Sequence, residues 1–243
     1  MGTSKGFEAP STPQWSALKR QVTQLAGTDN IIPHDIGKVL NGLIKALGGS
    51  SEISSGGSDR VVGSAAVSAG SKLSSFIGSV AIQGFEKTLE AYGLQHLKDQ
   101  SAGDIIFSLI DELCGDGSSI DEVDVRNAMF DLEKELLEDA KSFDEVNAAL
   151  NSKLAEESLD RLLFSFFGHY LFHIFERIFH ERISQRKGYD SLDKLLLKIR
   201  SYIREELKYQ TSEIKLSGVD WQSDKGTEII QNILNQTLLV FGR

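Results

Sequence analysis

Apolar residues along the chain recur at three- and four-residue spacing, and this pattern predicts helices. Alternation of β-branched and polar residues, the mark of a half-buried strand, is absent. A first helix is expected from about Pro13 to Ala26. Ser11 and Gln14 suggest a capping box, Pro13 lies in the first turn, and Gly27 is the stop. Pro33 opens a second, with Ile36, Leu40, Leu43, Ile44 and Leu47 on one face and Gly48-Gly49 as its end. Ser101 to Cys114 buries Ile105, Ile106, Leu109, Ile110 and Leu113. Ser119 with Glu122 and Ser142 with Glu145 are capping-box pairs, opening helices to about Lys141 and Lys153. Longer helices are expected over about 155–185, 190–215 and 224–241. Leu192, Leu195, Leu196, Ile199, Tyr202, Ile203 and Leu207 form the inward face of the second of these.

Proline use agrees with this pattern. The only prolines are Pro10, Pro13 and Pro33, which leaves 34–243 free of helix breakers of that kind. The expected fold is therefore all-α: a bundle-like helical body over 14–243 behind a flexible N-terminal tail, 1–13. Inside the body, 48–59 (GGSSEISSGGSD) reads by composition as a Gly/Ser linker. No run of 18 apolar residues occurs, and neither 162–175 nor 61–85 is expected to span a membrane. The chain is expected in the cytoplasm.

In the segment 60–92, Ala66, Gly70, Ser74 and Gly78 recur every four residues. Such a stripe of small side chains lets another backbone approach closely. It predicts a tight helix contact in the core, with a partner-docking face as the alternative.

Charge narrows the functional classes. With 26 Lys+Arg against 35 Asp+Glu, the net charge of −9 disfavours direct binding to nucleic acid. From Asp111 to Glu145 there are 13 acidic and three basic residues, a belt expected to be a solvated face. The lone Cys114 excludes an internal disulfide or a multi-cysteine zinc site and reads as a small buried hydrophobe.

His169, His173, Glu176 and His180 are the sharpest chemical constellation, at i, i+4, i+7 and i+11 on one helical face. Imidazole and carboxylate so spaced can ligate a transition metal, and a metal-dependent helical enzyme is the alternative function. Four ligands over three turns of one helix cannot surround an ion, and no second Glu-x-x-His pair supplies the rest. The stripe is flanked by Phe166, Phe167, Tyr170, Phe172, Phe175 and Phe179, so it reads as an aromatic core helix with histidines at its margin and no metal. Phosphate loops, dinucleotide fingerprints and Gly-x-Ser-x-Gly elbows are absent, and no cofactor is expected.

The start Met1-Gly2-Thr3-Ser4-Lys5, a Gly- and Pro-containing tail and a small-residue helix over about 60–82 resemble the QatB family, the B component of a bacterial anti-phage defence system, Qat. The resemblance implies a non-enzymatic member of a four-protein operon. Its companions would be an ATPase, a QueC-like nucleotide-chemistry enzyme and a TatD-like nuclease. It further implies that removal of Met1 exposes the Gly2 amine to the QueC-like partner, with Thr3, Ser4 and Lys5 as recognition residues. The implied role is an adaptor whose terminus is a ligand or substrate.

Overall fold

The computed structural model describes residues 11–56, 62–137, 140–210 and 218–242. Gly2, Thr3, Ser4 and Lys5 lie outside them. Eleven α-helices and one 3-10 turn make up the described residues, which contain no strand. Two start the chain: α1 (Pro13–Ala26) and α2 (Pro33–Ala46), each with proline in its first turn. The cap of α1 is Thr12, not the expected Ser11; its hydroxyl accepts the Trp15 amide at 3.4 Å.

The expected linker over 48–59 contains a short helix, α3 (Ser50–Ser54). Ile53 drives it: one apolar side chain in a polar run, only 1% exposed, packs the segment into the core. Residues 57–61 are outside the described set. The small-residue segment becomes α4 (Ser64–Gln83) and α5 (Phe85–Ala91), separated by Gly84 at φ +86°.

Next come α6 (Ala102–Cys114), α7 (Ile120–Leu137) and α8 (Phe143–Glu156). The Ser119 box forms in full, whereas at Ser142 only the hydroxyl half forms and the Glu145 carboxylate accepts the Lys141 amide at 2.6 Å. Ser119 Oγ accepts the Glu122 amide at 3.1 Å, while the Glu122 carboxylate accepts the Ser119 amide at 3.3 Å. Ser142 Oγ accepts the Glu145 amide at 3.4 Å. The chain closes with α9 (Leu159–Lys187), α10 (Tyr189–Leu207) and α11 (Asp224–Gly242). The expected extension of α10 to 215 ends in a turn at Lys208, and 211–217 lie outside the described residues.

The 29-residue α9 is the axis of the fold, contacting α1, α4, α7, α10 and α11. From Leu162 to Phe175 every residue except Ser165 is buried, and a helix apolar on all sides belongs inside a bundle. One contiguous core joins Trp15, Leu40, Ile53, Phe167, Ile199 and Ile230.

The small-residue stripe lies within this core for three of its four members. Ala66, Gly70 and Ser74 are buried and Gly78 is half-buried. A Cβ on Gly70 would stand 2.9 Å from Ile230 Cγ2 and 3.0 Å from Phe167 Cζ, so α4 meets α9 and α11 where no side chain intervenes. Its buried face is filled from within the chain. By length and composition, α4 is the one described helix that could cross a membrane, and half of its 18-residue apolar window is buried in the body.

Candidate functional site

The histidine stripe of α9 faces α7, whose acids were expected to be solvated. That expectation holds for Asp111, Glu112, Asp116, Asp144 and Glu145, which are exposed, and is corrected within α7: Asp121, Asp124 and Glu133 are buried, and Asp131 and Glu135 meet the histidines. The reason lies in the opposing helix. Positions 121, 124, 131 and 135 share one face of α7, and α9 presents Tyr170, Arg177, His173 and His169 to them. Each buried carboxylate except Glu133 thereby gains a charged or hydroxyl partner, as burial of charge demands.

Asp131 is the hub. Its Oδ2 lies 2.8 Å from His173 Nε2 and 2.8 Å from Arg200 Nη1 on α10. Burial works to raise the Asp131 carboxyl, but the His173 hydrogen bond and the Arg200 charge outweigh it and hold it at about 2. Burial likewise works to lower the His173 imidazole; the Asp131 and Glu176 carboxylates overcome it and raise it above its ordinary value. Glu176 Oε2 stands 3.2 Å from His173 Nδ1. The Arg200 guanidinium also lies over the Phe172 ring, 4.2 Å from its centroid, which fixes its position.

His169 is one turn earlier and 8% exposed. Its Nε2 is 3.2 Å from Glu135 Oε2, yet the pair is misaligned and Nε2 makes no hydrogen bond. Glu135 instead accepts from Ser165 Oγ at 3.1 Å. His180 is exposed and stands apart, its ring 6.4 Å from that of Tyr189. The four stripe residues therefore do not converge: two engage α7, Glu176 braces His173, and His180 faces outward. Among the described residues no group of three or more His, Cys, Asp or Glu side chains is arranged to hold a metal ion. Cys114 is buried, and burial, then Glu133, pushes its thiol up to about 12, far from a reactive thiolate.

Beside this network a cleft of about 420 Å³ opens between α9 and α10. Its lining includes Arg161, Ser165, His169, Arg200, Arg204 and Lys208. Gly168 makes the closest approach of the two helices there; a Cβ on it would lie 2.6 Å from Leu207 Cδ1. Sequence reasoning singled out His169 but not Asp131, Glu135 or Arg200. The available signal was the three-, seven- and four-residue spacing of Asp121, Asp124, Asp131 and Glu135, which puts them on one face of a helix.

No curated protein and no solved structure matches the chain. A family model, described as the Qat anti-phage system associated protein QatB, matches residues 55–241. The match begins after α2, so it rests on α4 to α11 and not on the N-terminal residues that first suggested the resemblance. With more than three quarters of its length matched, including α7, α9 and α10, the chain belongs to the QatB family of Qat anti-phage system associated proteins.

Proposed function

We propose that the chain is a non-enzymatic adaptor of the Qat system. Its helical body docks operon partners in the cytoplasm, and its N-terminal tail is the ligand or substrate of a QueC-like enzyme. The observation that carries this reading is the family match over the helical body, to a protein described by its association with an anti-phage system rather than by a reaction.

The chemistry of the tail follows from its residues. Gly2 has no Cβ, so its amine can enter a narrow pocket without a clash. The QueC-like enzyme joins the carboxyl group of a deazaguanine to that amine, forming an amide, with ATP driving the loss of water. Thr3, Ser4 and Lys5 supply recognition, as short peptides gain affinity from backbone hydrogen bonds and a few side-chain contacts. The operon's ATPase and TatD-like nuclease are further candidate partners of the body.

Phage protection and pull-down by the QueC-like partner test the reading, comparing wild type, Gly2→Glu and a deletion of residues 2–5. Both variants are expected to stay folded, lose partner capture and lose protection. Normal capture and protection by both would place the function in the helical body alone.

A further inference from the structure

The α9–α10 cleft has features that neither the core nor the tail reading accounts for. Arg200, Arg204 and Lys208 fall at i, i+4 and i+8 on α10, and all three line it. Arg161 faces them from α9, its Nη2 donating to the Lys208 carbonyl at 3.2 Å. Arg200 is held by Asp131 and by the Phe172 face. Arg204 is exposed and its charge helps to lower the Glu135 carboxyl, while the Lys208 ammonium lies 5.5 Å from the centre of the Tyr209 ring. At the inner end, His169 is 8% exposed, and its Nε2 lies 3.2 Å from Glu135 Oε2 without an aligned hydrogen bond. A buried, unsatisfied polar atom costs stability and asks for a partner.

Three carboxylates share the cleft. Glu135 is held by Ser165, while Glu157 and Glu205 complete the lining. With Arg200 neutralised by Asp131, Arg161, Arg204 and Lys208 face these three acids in equal number, and the positive charge is gathered along the α10 stripe at Arg204 and Lys208. The floor beside it, made by Gly168, Ile203 and Leu207, is apolar. A volume of about 420 Å³ suits a small organic molecule.

We propose that this cleft binds a small phosphate monoester. Arg200, Arg204 and Lys208 hold the phosphate with Arg161 opposite, His169 Nε2 donates to one of its oxygens, and the organic body rests on the Ile203–Leu207 floor. A dianion suits several guanidinium and ammonium groups better than a single carboxylate does, because each oxygen can accept a separate charge-assisted bond. The inference is independent of the tail, since none of these residues belongs to it.

Calorimetric titration of the full chain at low ionic strength tests it, with phenyl phosphate as the probe and inorganic phosphate and benzoate as comparisons. Phenyl phosphate is expected to bind saturably at one site, at least tenfold more tightly than either comparison. Arg204→Glu with Lys208→Glu is expected to weaken it at least tenfold, whereas Lys198→Glu, an exposed charge on the same helix outside the cleft, leaves it unchanged. If the double variant does not fold, Arg204→Gln, an exposed change that removes only a charge, is expected to weaken binding severalfold. Absence of saturable phenyl phosphate binding would overturn the proposal. So would equal affinity for benzoate, or equal losses in the cleft variants and Lys198→Glu.

Discussion

The hydroxyl of Tyr170, in the middle of α9, donates to the carboxylate of Asp121 at the start of α7, and both groups receive the amide of Gly63 just before α4. The Gly63 N–H lies 2.8 Å from the Tyr170 oxygen, and Asp121 Oδ2 also accepts the Ala65 amide at 2.8 Å. Orphan amides at the start of one helix are thus capped by a carboxylate from another, with a third helix locking it. Gly63 has φ +109°, and a Cβ there would fall 1.9 Å from the Ile53 carbonyl oxygen, so no other residue fits.

Tyr170→Phe removes the hydroxyl and leaves Asp121 on the Gly63 and Ala65 amides, at an expected cost of about 1–3 kcal/mol. Asp121→Ala should cost more than Tyr170→Phe, because it leaves the Ala65 amide without its cap and the buried Tyr170 O–H without an acceptor. Urea denaturation measures both. Midpoints within error of wild type would show that this junction does not hold α4 in place.

Two glycines of the α4 stripe should respond in opposite directions. Gly70→Ala presses a methyl group against Ile230 and Phe167 and is expected to destabilise by about 1–3 kcal/mol. Gly78 has only Trp221 Nε1 within reach of a Cβ, at 3.8 Å, so Gly78→Ala should stabilise by up to about 1 kcal/mol through helix propensity. Thermal melts of the two variants decide it; equal shifts would refute the close-contact reading of Gly70.

Much of this was legible because it is local. Pro13, Pro33, Gly27 and the Ser119–Glu122 and Ser142–Glu145 boxes act within one turn, and the helices begin or end at or next to them. Ile53 was missed because one apolar residue among serines and glycines carries no periodicity. The inward turn of Asp121, Asp124 and Asp131, and the pairing of Glu135 with His169, were missed for a different reason. Acids occupy several faces of α7, and only the placement of Arg177, His173 and His169 on another helix decides which face is buried.

Glu133 is the unpaired member of that helix. It is buried, and Oε2 has no hydrogen-bond partner. Burial raises its carboxyl well above the ordinary 4.5, so its contribution is most favourable below that value and is lost as pH rises through the folded pKa. Glu133→Met should stabilise the protein at neutral pH by about 1–3 kcal/mol and flatten its loss of stability on raising the pH. Chemical denaturation at two pH values checks this, and a destabilised Glu133→Met would contradict it.

His173 predicts a second pH effect. Its folded pKa lies above the ordinary 6.5, so its pairing with Asp131 and Glu176 stabilises fully below 6.5 and is lost as pH rises through the folded value. Asp131 has the opposite sign: its contribution is present above the ordinary 3.8 and fades only as pH falls toward about 2. Melting temperature should therefore fall as pH rises above about 6.5 in wild type and fall less in His173→Gln. Parallel profiles for the two proteins would show that the imidazole is not charged in the folded state.

Intact mass is the most direct test of the adaptor reading. The chain is purified after co-expression with the proposed QueC-like partner, and Gly2→Glu is prepared in parallel. Wild type is expected to lack Met1 and to carry one added deazaguanine acyl group, which fragmentation places on the Gly2 amine. Gly2→Glu is expected to keep Met1 and to carry no addition. An unmodified wild-type chain recovered from cells that hold the active partner would contradict the claim that its terminus is the enzyme's substrate.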